Sequence, residues 1–406
     1  MRIPRALLAV AVVVAAAEAC ADGNGPGGKE TLTLNTIVAA GNKSCGLTEG
    51  GTLLCWGMPL NQYVCDDPGQ SGPACVRRPM VVADSSRLLL HGLIAGGFYG
   101  GFCGLDPLGD PWCLGSLLVD IDGIYSFPDT LGMLASGLTI SSLAMGTGHI
   151  CGLGPGGNVY CWGDHDGARR GDYGPYFGTG TDFVPNQVSG GGGYTALAAT
   201  YSATCGVQQP SQYILCWGYD SLLGHPAIVG DSNPDHCGFF APCGMNPSAT
   251  GGFHQYSAVV SGRAHSCGLE AAGAVYCWGF NFSGQVGTGD TSFAAAPVAI
   301  PLPHAATALF AGPAQSCARL SSGELYCWGD NTSGVFGSGP VQFVSPTHMA
   351  QLEQLVSLSF GDGHACGLTM AGVAYCWGAN DSGQLGTGDA VPHDRPFSVA
   401  RPIASS

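Results

Sequence analysis

HSCGLEAAGAVYCWGFNFSGQVGTGD, residues 265–290, decides how this chain folds. A short apolar run ends in Cys267, and a Gly-bearing turn leads to a second run through Cys277-Trp278-Gly279. A Gly-punctuated loop follows. Two such runs joined by a few residues read as a β-hairpin. Folding it about Ala272 sets Cys267 opposite Cys277 and Leu269 opposite Val275. The two-residue strand period then sends Tyr276 and Trp278 to the other face. Both faces are apolar, so the hairpin expects a neighbour on each side.

The second strand recurs along the chain as LLCWG (53–57), VYCWG (159–163), ILCWG (214–218), VYCWG (275–279), LYCWG (325–329) and AYCWG (374–378). A seventh unit reads PWCLG (111–115), its Trp two positions early and therefore still on the same strand face. All 7 Trp residues are consumed in this way. First cysteines at 45, 103, 151, 205, 267, 317 and 366 give a period near 50, which with about four short strands per unit marks a β-propeller blade. Seven units close a ring and leave no long open edge. The fold class expected is all-β, a seven-bladed propeller with a disulfide in each blade. PFSVARP (396–402) looks like a strand without a hairpin of its own. It is expected to complete the blade begun by TLTLNTIVAAG (31–41), stapling the ring shut.

The motif H-x-C-G-L followed by V-Y-C-W-G-x-N-x-x-G-Q-x-G-T-G-D resembles the regulator of chromosome condensation repeat. It is best preserved within 262–290 and 361–389, and the resemblance extends over nearly everything after residue 30. It implies a seven-bladed propeller. A cysteine pair in every blade sets the chain apart from the eukaryotic pattern and resembles the exported bacterial branch, which includes a secreted inhibitor of β-lactamases. No residue-by-residue match to the eukaryotic nucleotide-exchange surface exists, so that activity is not implied.

Residues 1–20 read as a secretory signal, with Arg2 and Arg5 ahead of an apolar stretch from Ala6 to Ala17. That stretch is too short to span a membrane comfortably. Two cleavage readings compete. Ala17-Glu18-Ala19 fits an ordinary small-x-small site and a secreted or periplasmic product. Ala19-Cys20 resembles a bacterial lipoprotein junction, with Cys20 lipidated and 21–30, ADGNGPGGKE, as a linker to the domain at 31–406. Destinations are then the outer membrane, or the periplasm-facing envelope. The formal net charge of −15 argues against non-specific nucleic-acid binding, which wants a basic surface.

Of the 19 cysteines, fourteen fall into seven local pairs. Cys45 goes with Cys55, Cys103 with Cys113, Cys151 with Cys161, and Cys205 with Cys216. Cys267 goes with Cys277, Cys317 with Cys327, and Cys366 with Cys376. Zinc ligands usually stand two to four residues apart, which these do not. Facing positions in an exported hairpin favour disulfides. Two insertions add Cys65 with Cys75 and Cys237 with Cys243, which are expected to pair as well and leave Cys20 alone.

His149, His265 and His364 each precede a blade's first cysteine by two residues, where the other blades carry Lys43, Gly101, Ala203 and Gln315. Neighbouring blades disagree, so a ring of metal ligands is not expected, and a His bonded to backbone at the strand entrance is. Asp120-Ile121-Asp122-Gly123 and Asp164-His165-Asp166-Gly167 lack the further ligands of a calcium loop and read as solvated turns. No cofactor, metal or catalytic residue is assigned, and no hydrolase or phosphate-loop motif appears.

The function expected is a binding scaffold for a protein partner, with a glycan as the less favoured ligand, monomeric and reaching the membrane through its lipid alone. A hydrolase or lyase at the central channel is the alternative, and a nearly passive envelope component the third reading; fold alone does not separate them. Blades five to seven leave the second-cysteine strand by compact loops such as 281–290, whereas the first four carry insertions at 58–79, 116–138, 164–190 and 219–252. These hold Tyr63, Tyr125, Phe127, Tyr173, Tyr176, Phe177, Tyr219, Phe239 and Phe240, the candidate partner-binding residues. All four leave at one structural point, so they are expected on one face and in one sector of the ring. Aromatics on preorganised loops suit a protein-binding hot spot.

Overall fold

The hairpin at 265–279 forms in the expected register. Cys267 faces Cys277, Leu269 faces Val275, and Ser266 faces Trp278. Tyr256–Ser261 pairs on its inner side and Ala294–Ala299 on its outer side, all antiparallel. The computed structural model describes residues 31–58, 76–83, 88–96, 100–120, 123–126, 131–163, 182–190, 192–219, 243–252 and 254–402. Among these the unit recurs as seven four-stranded sheets, together with one two-stranded hairpin. The inner strands are Thr36–Ala40, His91–Gly96, Ser142–Met145, Tyr194–Ala199, Tyr256–Ser261, Ala306–Ala311 and Leu355–Phe360, and the blades are numbered after them.

The chain is a seven-bladed all-β propeller with a disulfide in every blade. In blades one to four Cys45 is bonded to Cys55, Cys103 to Cys113, Cys151 to Cys161, and Cys205 to Cys216. In blades five to seven Cys267 is bonded to Cys277, Cys317 to Cys327, and Cys366 to Cys376. Each pair occupies directly opposed positions of the blade's second and third strands. The two further pairings expected in the insertions are not among these bonds. Cys65, Cys75 and Cys237 lie outside the described residues, as does Cys20. Cys243 is the first residue of the outer strand Cys243–Ala249 and stands opposite Tyr219, while its expected partner Cys237 lies outside.

One packing rule runs round the ring. The disulfide of each blade lies against the tryptophan of the next. Cys103 and Cys113 pack with Trp162, Cys151 and Cys161 with Trp217, and Cys205 and Cys216 with Trp278. The same rule joins Cys267 and Cys277 to Trp328, and Cys317 and Cys327 to Trp377. Cys366 and Cys376 of the last blade meet Trp56 of the first, which closes the circle. Blade two departs from the rule because its register position holds Leu114. Opposite stands Phe102, where other blades put a smaller residue such as Ser44, Thr204 or Ser316. Phe102 and Leu114 together fill the space against Cys45 and Cys55. Displaced Trp112 packs at the margin, its Nε1 donating to Asp106 Oδ2 at 3.2 Å. The interface is filled while the residues that fill it change.

The third letter of the Cys-Trp-Gly motif is set by the backbone. Gly279 has φ +106°, and a Cβ there would stand 2.6 Å from the Ala264 carbonyl oxygen. Only glycine fits such a left-handed, crowded position.

Closure of the ring differs from the expectation. His393–Ser398 is the outer strand of blade seven, paired to Ala374–Gly378, and it does not complete the first blade. Each blade is built from strands in chain order, inner to outer, with a separate hairpin inserted before the outer strand in blade two. The first and last blades join through side chains and a short bridge. Leu34 N donates to Gly372 O at 2.8 Å, and Ala374 N donates to Leu32 O at 3.0 Å. Ala39 N donates to Ser359 Oγ at 2.8 Å.

Six outer strands carry proline one residue before the partner of the second cysteine: Pro79, Pro185, Pro247, Pro297, Pro346 and Pro396. In each case the ladder slips between the cysteine and the following glycine. Proline lacks the N–H that another chain would pair with, so these edges resist strand addition.

The compact loops of blades five to seven are held by one buried asparagine each. Asn281 Oδ1 accepts from Val286 N at 2.8 Å, while its Nδ2 donates to Thr288 Oγ1 and Asp290 O. Asn331 and Asn380 repeat the arrangement. The corresponding residue in the first four blades is Pro59, Leu117, His165 and Asp220, and there the compact loop is replaced. Asn281→Ala strips a buried N–H of its acceptor and should destabilise by roughly 1–3 kcal/mol. Denaturant melts of the purified domain check this.

Candidate functional site

All seven inner strands run the same way, and their C-terminal ends converge on one mouth of the central channel. Ala40 and Gly41, Gly96, Gly146, Thr200 and Tyr201, Gly262 and Arg263, Gly312 and Pro313, and Asp362 line it. Backbone bonds run from blade to blade around the rim: Tyr201 N to Arg263 O, Arg263 N to Pro313 O, and Asp362 N to Gly41 O. Arg263 Nη2 bonds Asp362 Oδ1 at 2.8 Å across blade six. The wall is mostly Ala and Gly.

The antiparallel register puts the loop between third and fourth strands on this same face. Gly57 pairs with Val76, Gly163 with Asp182, Gly218 with Gly244, and Gly279 with Ala294. Connections 58–75, 164–181 and 220–242 therefore leave from the channel-mouth face. The boundaries drawn from sequence (58–79, 164–190, 219–252) had absorbed outer strands, which fill 76–83, 182–187 and 243–249. In blade two the stretch after Gly115 holds the hairpin Ser116–Asp120 with Gly123–Ser126, then the outer strand Gly132–Met133. Asp120 pairs with Gly123, and the two residues between them lie outside the described residues.

Tyr63, Phe127, Tyr173, Tyr176, Phe177, Phe239 and Phe240 lie outside the described residues. Tyr125 falls in the strand Gly123–Ser126 and Tyr219 in Tyr213–Tyr219. The second calcium-like turn, 164–167, also lies outside.

The face carries a further aromatic group that the sequence reading had passed over. Phe280, Phe282 and Phe293 cluster with ring centroids 5.4 and 5.5 Å apart, and Phe282 is 71% exposed. Phe280 and Phe282 border an open hollow shared with Arg263, Gln285 and Pro313. Tyr201, half-exposed, stands at the mouth one blade away. An aromatic cluster beside an arginine is the composition of a binding hot spot.

The three histidines are buried behind this face and tie neighbouring blades together. His265 Nε2 lies 2.8 Å from Ser316 Oγ of blade six, His364 Nε2 2.8 Å from Ser44 Oγ of blade one, and His149 Nε2 2.7 Å from Thr204 Oγ1 of blade four. Ser316 gives its single proton to Gln285 O, and Ser44 gives its own to Gln384 O. Both serines must therefore accept from Nε2–H, which fixes the imidazole tautomer. Room for the ring comes from Gly262 and Gly361, whose Cβ atoms would stand 2.3 and 2.2 Å from the imidazole Cε1. Nε2 bonds a hydroxyl of the next blade, whereas the sequence leads one to expect a bond to backbone at the strand entrance; His265 and His364 have backbone hydrogen bonds as well, with Gln315 and Lys43.

Burial pushes His265 and His364 down to about 4, opposed by hydrogen bonds to the backbone of Gln315 and Lys43. An unfolded His binds its proton near 6.5. Between these values the unfolded chain holds more protons, so stability is complete above pH 6.5 and falls as pH drops through 4. We expect the melting temperature to decline steadily from pH 6.5 to 4. H265Q should flatten part of that slope at some cost in stability at neutral pH, which melts across a pH series would read.

Two hydroxyls at the channel hold local structure. Thr200 Oγ1 accepts from Ala203 N at 2.9 Å, and Ser261 Oγ bonds Ser266 Oγ at 2.8 Å. The three histidines behind this face are committed to contacts between blades.

Models of the Regulator of chromosome condensation (RCC1) repeat match this chain at residues 256–285, 307–335 and 355–384, and at 272–318 and 371–404. The ultraviolet-B receptor UVR8 of Arabidopsis thaliana is 30% identical over 171 residues, 41% of this chain. The matched stretch spans 35% of that relative's length, about a third. Among solved structures, Prp20p of Saccharomyces cerevisiae superposes with TM-score 0.69 at 18% identity, over 91% of this chain and 88% of its own. That protein was described with binding to Gsp1p and histones. Human WBSCR16 also gives 0.69, at 16% identity, over 88% of this chain and 94% of its own. At these identities the structural likeness speaks for the fold alone.

Proposed function

We propose that this seven-bladed propeller, which carries regulator of chromosome condensation repeats, works as an exported, lipid-anchored scaffold that binds a protein partner through its channel-mouth face. The observation that carries the reading is a coincidence of place. The connections that replace the compact loops of blades one, three and four leave on the same face as the exposed Phe280, Phe282 and Phe293 cluster. The insertions supply Tyr173, Tyr176 and Phe177; one holds both Cys65 and Cys75, and another holds Cys237, whose expected partner Cys243 opens the following outer strand, and bonds between them would stiffen the loops. Stiff aromatic loops lose little entropy on contact, which favours recognition of a folded surface. A fold neighbour, Prp20p of Saccharomyces cerevisiae, is described with protein partners, which is in keeping with a binding reading of this chain.

Export follows from the leader at 1–20, and the anchor from Ala19-Cys20 and the odd cysteine count. The net charge of −15 favours a basic partner surface and faster encounter at low salt. Cys20→Ser is expected to move the protein from the membrane fraction to the soluble one. Sedimentation of the variant with membranes would rule out the anchor.

The binding reading is tested by using the soluble domain as bait on the native envelope, alongside the triple variant Y173S/Y176S/F177S. Loss of the captured protein with an unchanged melting temperature is the expected outcome. Capture undiminished by the triple change would place the site elsewhere.

A further inference from the structure

The two faces of the ring differ in a way that bears on how the protein sits. The inner strand Thr36–Ala40 runs toward the channel-mouth face, so the chain enters it from the other side. Asn35 N donates to Leu47 O, and Leu34 N donates to Gly372 O in the far-side turn of blade seven. Thr33 bridges to Val373 in the same turn. The segment leading back to Cys20 therefore leaves from the face opposite the insertions.

That far face is uneven. Met370, at the tip of the blade-seven hairpin, is 90% exposed, and Leu108, at the tip in blade two, is 73% exposed. Leu89, where the chain enters blade two, and Val356, near the start of the blade-seven inner strand, are exposed as well. The tips of blades three and six are built from Pro155-Gly156-Gly157 and Ser321-Ser322-Gly323. The large apolar side chains thus gather on blades seven and two, on either side of the point where the tether leaves.

We propose that the far face, through Met370, Val356, Leu89 and Leu108, rests on the lipid surface to which Cys20 is attached, so that the channel-mouth face looks away from the membrane. This builds on the lipid-anchor reading above. Chain length supports the orientation. Cys20 and Thr31 are eleven residues apart (31 − 20), at most roughly 40 Å fully extended. Reaching round the rim would use about 14 Å across three strand spacings and about 17 Å along a strand, roughly 31 Å in all, before the anchor cleared the opposite plane. The direct route leaves the tether slack, and each apolar side chain that enters the interface adds to attachment. The partner is then met from the side away from the membrane, with no lipid competing for the aromatic loops.

Indole emission tests this in the lipidated full chain, purified from membranes and placed in vesicles of phosphatidylcholine brominated on its acyl chains. M370W and F282W each add one tryptophan at an exposed site, and the wild-type emission is subtracted. Loss of most of the added emission in M370W, with F282W unchanged, is the expected result. Vesicle flotation of the wild-type chain is read in the same preparation. If it floats but F282W is quenched, or neither variant is, the orientation is wrong while the anchor stands. If the wild-type chain fails to float, the anchor reading falls and the orientation with it.

Discussion

Replacing Trp278 with alanine is expected to lower the stability of the domain by about 3–5 kcal/mol, the range for removing a large aromatic from a packed core. The residue is fully buried and belongs to the cluster that holds Cys205 and Cys216 of the preceding blade, so its loss opens a cavity between two blades. Neither blade can collapse into that space freely, because each is also held by its other neighbour. The equivalent change at Trp56 should cost at least as much. Trp56 sits at the interface between the last blade and the first, which no peptide link spans and which a short bridge at 32–34 supports. Guanidinium melts of both variants check the size and the order of the two effects.

The second large effect is expected from the disulfides. Changing Cys267 and Cys277 together to alanine should cost roughly 3 kcal/mol in the chain-entropy model for a loop of this size. With 67 glycines the unfolded chain is unusually free, and the cross-links restrict it where side chains cannot. The double change also removes sulfur packed against Trp328 of the next blade, so the loss includes a contact term. Full reduction should unfold the domain below its oxidised melting temperature by a wide margin. A reduced protein that melts with the oxidised one would show that the blades stand on packing alone.

The blade hairpin was legible in the sequence because identical residues recur at identical strand positions, and register follows from them. Ring closure was not. PFSVARP looked unattached because its partner strand lies across the loop 379–392 rather than a tight turn, and such a long connection hides the pairing. The insertions were legible as departures from the repeat, but their ends were not, since outer strands carry a weak pattern around a single proline. Cys243 shows the difficulty: read as part of an insertion, it opens an outer strand. The Phe280 cluster was hidden by the regularity of its own loop. Its signal lies in the positions that the repeat leaves open: blade five has Phe280 and Phe282 where blade six has Asp330 and Thr332 and blade seven has Ala379 and Asp381. The role of the histidines needed the structure, because their partners come from the adjacent blade some fifty residues on, or across the whole chain for His364 and Ser44.

The division of labour between a ring that folds and loops that bind is tested most directly by a loop exchange. Gly163 and Asp182 flank the blade-three insertion as Gly279 and Ala294 flank the compact loop of blade five. Residues 164–181 can therefore be replaced by the sequence of 280–293 at matched strand ends. The exchanged chain should melt at or above the temperature of the parent and lose the protein captured from the envelope. An exchanged chain that no longer folds, or one that captures the partner as before, would contradict the account.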